Sequence, residues 1–181
     1  MKLVVFLFCW ILLITNSFAI DLKKGDLVEP EDIAKSYQPK LKKGMKWLYL
    51  MKAPVISFEL ATEITNIKDD NVTIKYTARN KIKEKTIKLK EFSFIPKVKK
   101  DNKEYTMLAN KIKYEGNENI SISGKNYNTQ KFSGDAETPA GKAKTLIWFA
   151  KDAGIIKMES KYSMLGLPVT GVFELKDFIN P

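Results

Sequence analysis

The sequence predicts a mainly β fold. It would be a single antiparallel curved sheet of about ten strands, a half-barrel or open barrel, with one short N-terminal helix. Three observations carry this. Apolar and polar residues alternate with period two along most of the chain, turn signals recur every 8 to 14 residues, and only one short stretch has helical spacing. Strand twist accumulates, so a sheet that wide curls or splits. Alternation lets one face meet water and leaves the other in need of a cover.

The chain opens as a secretory leader, residues 1–19. Lys2 supplies positive charge, "LVVFLFCWILLI" is a twelve-residue apolar run, and Ser17 and Ala19 stand at the small-residue positions of a signal-peptidase site. The run falls short of the roughly 20 apolar residues of a membrane span. Cys9 follows Phe8 rather than the small residues an acylated cysteine needs. Cleavage near Ala19 leaves residues 20–181, a 162-residue periplasmic or secreted chain of one domain's length.

Next comes an N-terminal segment, residues 20–40. In "DLVEPEDIAKSY", Pro30 suits a first helical turn, and Ile33, Ala34 and Tyr37 have helical spacing. The remainder, residues 41–181, forms the sheet domain. "MKWLYLM" puts Trp47, Tyr49 and Met51 on one face. "VISFELATEI" puts Ile56, Phe58, Leu60 and Ile64 on one face, with Ser57, Glu59 and Glu63 on the other. After the turn "KDDN", "VTIKYTAR" separates Val72, Ile74 and Tyr76 from Thr73, Lys75 and Thr77. "TIKLKEFSFIP" and "EYTMLANKIKY" read as two further strands around the break "KVKKDNK". Short strands follow at "ENISIS" and "KNYNTQKFSG". "TLIWFAKDAGIIKM" reads as a hairpin with Gly154 in the left-handed region. The first arm of that hairpin is apolar on both faces, Leu146 and Trp148 on one and Ile147 and Phe149 on the other. The last strand is "VTGVFELKDF".

Composition narrows the chemistry. The chain past the leader has neither Cys nor His. That removes disulfides, thiol nucleophiles, Cys/His metal sites and His-based acid–base catalysis. No catalytic residue, metal or cofactor is expected. The formal charge is +10, or +9 once Lys2 leaves with the leader, and Arg79 is the single arginine. Nucleic-acid readout favours arginine forks, so a lysine-rich exported chain points instead to solubility, or to anionic headgroups and acidic partners. The run "KIKEKTIKLK" could present a lysine-lined strand face to such partners, although edge lysines also deter aggregation.

The inward aromatic and thioether residues are the candidate ligand-binding set: Trp47, Tyr49, Phe58, Tyr76, Trp148 and Met158. "YSMLGLPVTG" is unusually apolar for a loop. Met164, Leu165 and Leu167 would either cap the barrel or form a lip at a cavity mouth. Two carboxylate pairs, Glu59 with Glu63 and Asp135 with Glu137, are what a hydrolase would have to use.

Two stretches carry a resemblance. "YQPKLKKGMKWLY" resembles the Gly-x-x-Trp-x-Tyr opening of a group of exported bacterial proteins of unknown function, through Gly44 and Trp47. "TPAGKAKTLIWFAKDAGIIKME" resembles their Pro-Ala-Gly strand start and Trp hairpin, through Pro139, Ala140, Gly141, Trp148, Ala150, Gly154, Ile156 and Lys157. Such proteins are similar in architecture to periplasmic lipoprotein carriers and receptors, curved half-barrels around an apolar cavity. The resemblance implies a binding role without catalysis. The expectation is an exported monomer that binds an apolar or amphiphilic ligand, an anionic lipid among them, with peripheral membrane contact. Docking of an envelope protein through exposed strands and lysines is the first alternative, and a carboxylate hydrolase the second.

Overall fold

The computed structural model describes residues 20–93, 97–100, 103–106, 109–138, 141–164 and 166–181. Residues 1–19, Pro139, Ala140 and Leu165 lie outside them. In chain order the elements are β1 (Leu27–Val28), α1 (Pro30–Ser36), β2 (Lys46–Ala53), β3 (Ile56–Lys68), β4 (Asn71–Ala78) and β5 (Lys81–Lys88). They continue with a 3-10 turn (Leu89–Glu91), β6 (Lys97–Lys100), β7 (Lys103–Thr106), β8 (Ala109–Ile122), β9 (Lys125–Thr138), β10 (Gly141–Ala150), β11 (Gly154–Met164) and β12 (Leu167–Ile179).

Ten strands make one open antiparallel sheet in the order β1-β8-β9-β10-β11-β12-β2-β3-β4-β5, and β6 and β7 pair separately. Two meanders, β2 to β5 and β8 to β12, are thus joined edge to edge where β12 lies beside β2. The sheet curls far enough for the β8–β9 turn to reach β12. Ser123 Oγ donates to the Lys176 carbonyl at 2.8 Å, and Lys125 pairs with Asp177 at 2.9 Å.

Local chemistry explains the elements. Pro30 opens α1, Glu31 and Asp32 sit in its first turn, and Lys35 in its last, each favourable to the helix dipole. Ile33, Ala34 and Tyr37 are buried, and the Tyr37 ring lies 5.3 Å from that of Phe149. The sole α-helix among the described residues therefore lies on the core face of the sheet. Arg79 and Asn80, with φ of +47° and +64°, make the two-residue turn between β4 and β5. Gly154 closes the β10–β11 turn at φ +80°, the left-handed position expected of it.

Several strand limits differ from the sequence expectation. Strand β3 continues past Ile64 to Lys68, through a bulge between Ile64 and Asn66. Ile64 and Ile67 are three positions apart and would otherwise face opposite ways; the extra residue returns Ile67 to the core, opposite Val72. The stretch 86–96 is not one strand, because β5 ends at Lys88 and the chain makes a 3-10 turn tied by the Leu89 N–H to the Asp70 carbonyl. The stretch 104–114 splits between β7 and β8. The two short polar strands "ENISIS" and "KNYNTQKFSG" are parts of 14-residue strands β8 and β9. Their polar residues dilute the alternation on which a strand is recognised.

Candidate functional site

Directly opposed residues of neighbouring strands share a face, so the register converts the sequence into rows across the sheet. One row on the core face runs Tyr114–Phe132–Ile147–Met158–Phe173–Met51–Phe58 over seven strands. Its members are sealed from β8 to β12 but not beyond. Met51 is 39% exposed, Phe58 is half-buried, and Ile56 beside it is 43% exposed. Leu60 and Tyr76, further along β3 and β4, are also half-buried. The inner face is therefore closed over β8 to β12 and open only at the corner of Met51, Ile56 and Phe58. Trp47, Ile64, Val72 and Ile74, further along β2, β3 and β4, are buried. Helix α1 is too short to cover both.

Five of the six predicted ligand residues lie on this face: Trp47, Tyr49, Phe58, Tyr76 and Met158. They divide into two groups. Trp47, Tyr49 and Met158 are buried. The Trp47 indole Nε1–H donates to the Ala153 carbonyl at 2.9 Å, and Tyr49 Oη donates to the Ile155 carbonyl at 3.2 Å. Tyr49 also stacks on Phe173 with centroids 4.2 Å apart. These side chains hold β2 to the β10–β11 hairpin across β12. Burial pushes the Tyr49 phenol well above its ordinary value, and does the same to Tyr37 and Tyr76. Phe58 and Tyr76 stand at the open end.

Trp148 sits on the opposite face, across from Lys131 and Lys157 in the register. It is only 3% exposed. The Lys131 and Lys157 ammonium groups lie 4.7 and 5.1 Å from its ring centroid, and its Nε1–H donates to Glu118 at 2.8 Å. The apolar stems of two lysines and a carboxylate thus form its cover. The indole N–H, then Lys131 and Lys157, hold the Glu118 carboxyl below its ordinary value.

Three core-face rows end on the edge strand β5, and each ends in a lysine. Leu175–Tyr49–Leu60–Ala78 ends at Lys81, Phe178–Trp47–Thr62–Tyr76 at Lys83, and Ile64–Ile74 at Lys85. All three lysines are exposed and none forms an ion pair among the described residues. The Arg79 guanidinium lies 4.4 Å over the Phe58 ring. Sequence reading noticed the lysine run; only the register puts alternate lysines on the core side.

A cleft of about 620 Å³ opens at the far end of β9 to β12. Tyr162, Gly166, Pro168, Lys142, Lys144 and Lys161 are among its lining residues, with the predicted carboxylates Asp135 and Glu137. Leu167, between two lining residues, is 69% exposed. Of the other predicted pair, Glu59 is bonded to Lys176, whereas Glu63 lies opposite Lys75 and Lys46 in the register. Among the described residues no group of three Asp or Glu could hold a metal ion, and no helix is long and apolar enough to cross a membrane.

No family model and no curated protein matches the chain. Solved structures do. A protein of Parabacteroides distasonis described as a "putative lipoprotein" is similar over 79% of this chain and 98% of its own, with a TM-score of 0.50 and 10% identity. A Bacteroides fragilis protein described as a "putative exported protein with YmcC-like fold" is similar over 80% of this chain and 99% of its own, with a TM-score of 0.49 and 10% identity. At such identity the first likeness is one of fold: an open, mainly β sheet of this kind occurs in a protein of nearly the same extent.

Proposed function

We propose that this chain is an exported, non-catalytic protein that binds an apolar or amphiphilic ligand at the cell envelope. The observation that carries the reading is the graded exposure along the core-face row, sealed from Tyr114 to Phe173 and open at Met51 and Phe58. Large apolar side chains left half-covered on a curved face are what an acyl chain would complete; burying each is worth roughly 1.5–3 kcal/mol. The leader read from residues 1–19 supports export. The description of the similar Parabacteroides distasonis protein as a lipoprotein is in keeping with an envelope location.

Native mass spectrometry of the protein purified from its own envelope is expected to retain a co-bound amphiphile. Met51→Ser and Phe58→Ser together are expected to lower that retention at least about tenfold, with the far-ultraviolet dichroism unchanged. A protein that carries no ligand and takes up no acyl-chain probe would overturn the reading. It would favour the docking of an envelope protein instead.

A further inference from the structure

We infer that the open end of the inner face carries an anion site built from Arg79, Lys81 and Lys83, so that the ligand it takes is an anionic phospholipid. The inference rests on the amphiphile reading above and adds the headgroup.

Arg79 is the chain's single arginine. Its place is set by the two-residue turn at Arg79 and Asn80, both at positive φ. The turn brings its guanidinium over the Phe58 ring at 4.4 Å, the residue where the apolar row runs out. This contact with the ring uses none of the N–H groups of the guanidinium fork as hydrogen-bond donors to an oxygen. Among the described residues that fork meets no carboxylate and no carbonyl. A planar fork held by a ring and lacking a protein partner suits the two-oxygen geometry of a phosphate.

Lys81 and Lys83 extend the charge. They end the rows that pass through Leu60 and Tyr76, so each ammonium stands on the core side, next to a half-buried apolar residue. Two positions along a strand separate them by roughly 7 Å, within the span of one headgroup. Glu84, the acidic residue of β5, faces away and accepts from Thr65 Oγ1 at 2.8 Å. The core side of this edge strand is thus positive from Lys81 to Lys85, before Ile87 joins the core, and the surface beside it is apolar. Edge lysines that only prevent strand pairing would need neither the arginine over a ring nor the half-buried phenylalanine beneath it.

The test uses phospholipids that stay monomeric, dihexanoyl phosphatidylglycerol and dihexanoyl phosphatidylcholine, titrated calorimetrically into the leader-free protein at low salt. Wild type is expected to bind the phosphatidylglycerol at least about tenfold more tightly. The double variant Lys81→Gln/Lys83→Gln, which removes charge, is expected to erase most of that preference and to leave the affinity for phosphatidylcholine unchanged. Arg79→Lys, which keeps the charge but loses the fork, is expected to weaken binding of both lipids several-fold, because both carry the phosphate. All three positions are solvent-exposed, and an unchanged thermal midpoint checks that the variants fold. Equal affinity for the two lipids overturns the inference and leaves the amphiphile reading standing. Failure to bind either lipid overturns both. A preference that survives in the double lysine variant, an Arg79→Lys variant that binds both lipids as wild type does, or a polyglutamate peptide that binds as tightly as the phosphatidylglycerol, also overturns it; the peptide result would assign the basic edge to a protein partner.

Discussion

Gly134 lies on the core face opposite Thr145, where the β8 side chains press against the sheet. A Cβ there would stand 2.7 Å from Ile112 Cγ2, closer than carbon atoms approach one another. Ile112 is fully buried and cannot swing out to solvent. Gly134→Ala is therefore expected to cost about 1–3 kcal/mol by overpacking, a fall of several degrees in the thermal unfolding midpoint. Beside it, Thr145 and Ser160 satisfy each other's buried hydroxyls at 3.0 Å. At this scale the sequence is a partial guide. It puts Trp47 and Tyr49 on the inner face, because alternation alone does that. It does not say that their polar ends are spent on Ala153 and Ile155, 106 residues away. Nor does it separate these fold-holding rings from Phe58 and Tyr76, which stand at the open end. Trp148 is the sharpest case, because its arm is apolar on both sides and either face could have been the core.

Among the elements, β12 has the largest consequence. It is the strand that joins the two meanders, with Leu167 to Glu174 paired to β11 on one side and Val172 to Ile179 paired to β2 on the other. The strand that joins the meanders follows both of them in sequence, so the pairing of Val172 with Lys52 brings together residues 120 positions apart and is a slow, non-local contact. A chain ended at residue 164 is expected to be degraded rapidly by a dilute protease under conditions where the full chain resists. A truncated chain with native resistance would mean that the two meanders fold independently. Strand existence was legible wherever one face is apolar, as in β2, β3 and β4. It was less so in β8 and β9, where Asn, Ser, Thr and Lys interrupt the pattern. The bulge that keeps both Ile64 and Ile67 inside was illegible, because period-two counting stops at the first break in phase.

For the molecule as a whole, with no cysteine past Cys9, stability depends on the packed inner face and on how its charges respond to pH. The buried phenols of Tyr37 and Tyr49 have folded values raised above the ordinary 10.0, by desolvation first. They favour the native state fully below that pH. Above it the unfolded chain releases phenolic protons that the folded chain keeps, so stability falls progressively. On the acid side, Glu115, Glu118 and Asp177 have values lowered from 4.5, 4.5 and 3.8 by hydrogen bonds to Ser133, Trp148 and Lys125 in turn. Their contribution is present above those ordinary values and is lost as the pH drops below them. Urea unfolding midpoints are expected to be flat near neutrality, to fall below about pH 4.5 and to fall again above about pH 10. Tyr49→Phe is expected to flatten the alkaline fall, and an unaltered slope in that variant would remove the phenol as its cause.

What the sequence determined by itself is the class of the fold and the excluded chemistry. Period-two alternation, regular turns and one helical stretch are local properties, and they suffice for an open antiparallel sheet with one helix. Composition is local too, so the loss of Cys and His chemistry could be read without coordinates. The tertiary structure decided which apolar residues are spent and which remain. Burial depends on what lies across the sheet, and α1 with the β8–β9 hairpin reaches only part of the inner face. The register likewise decided that Lys81, Lys83 and Lys85 end core rows and that Arg79 closes over Phe58. A one-residue shift would have turned all three lysines to the other side, and no pattern within a single strand specifies that pairing.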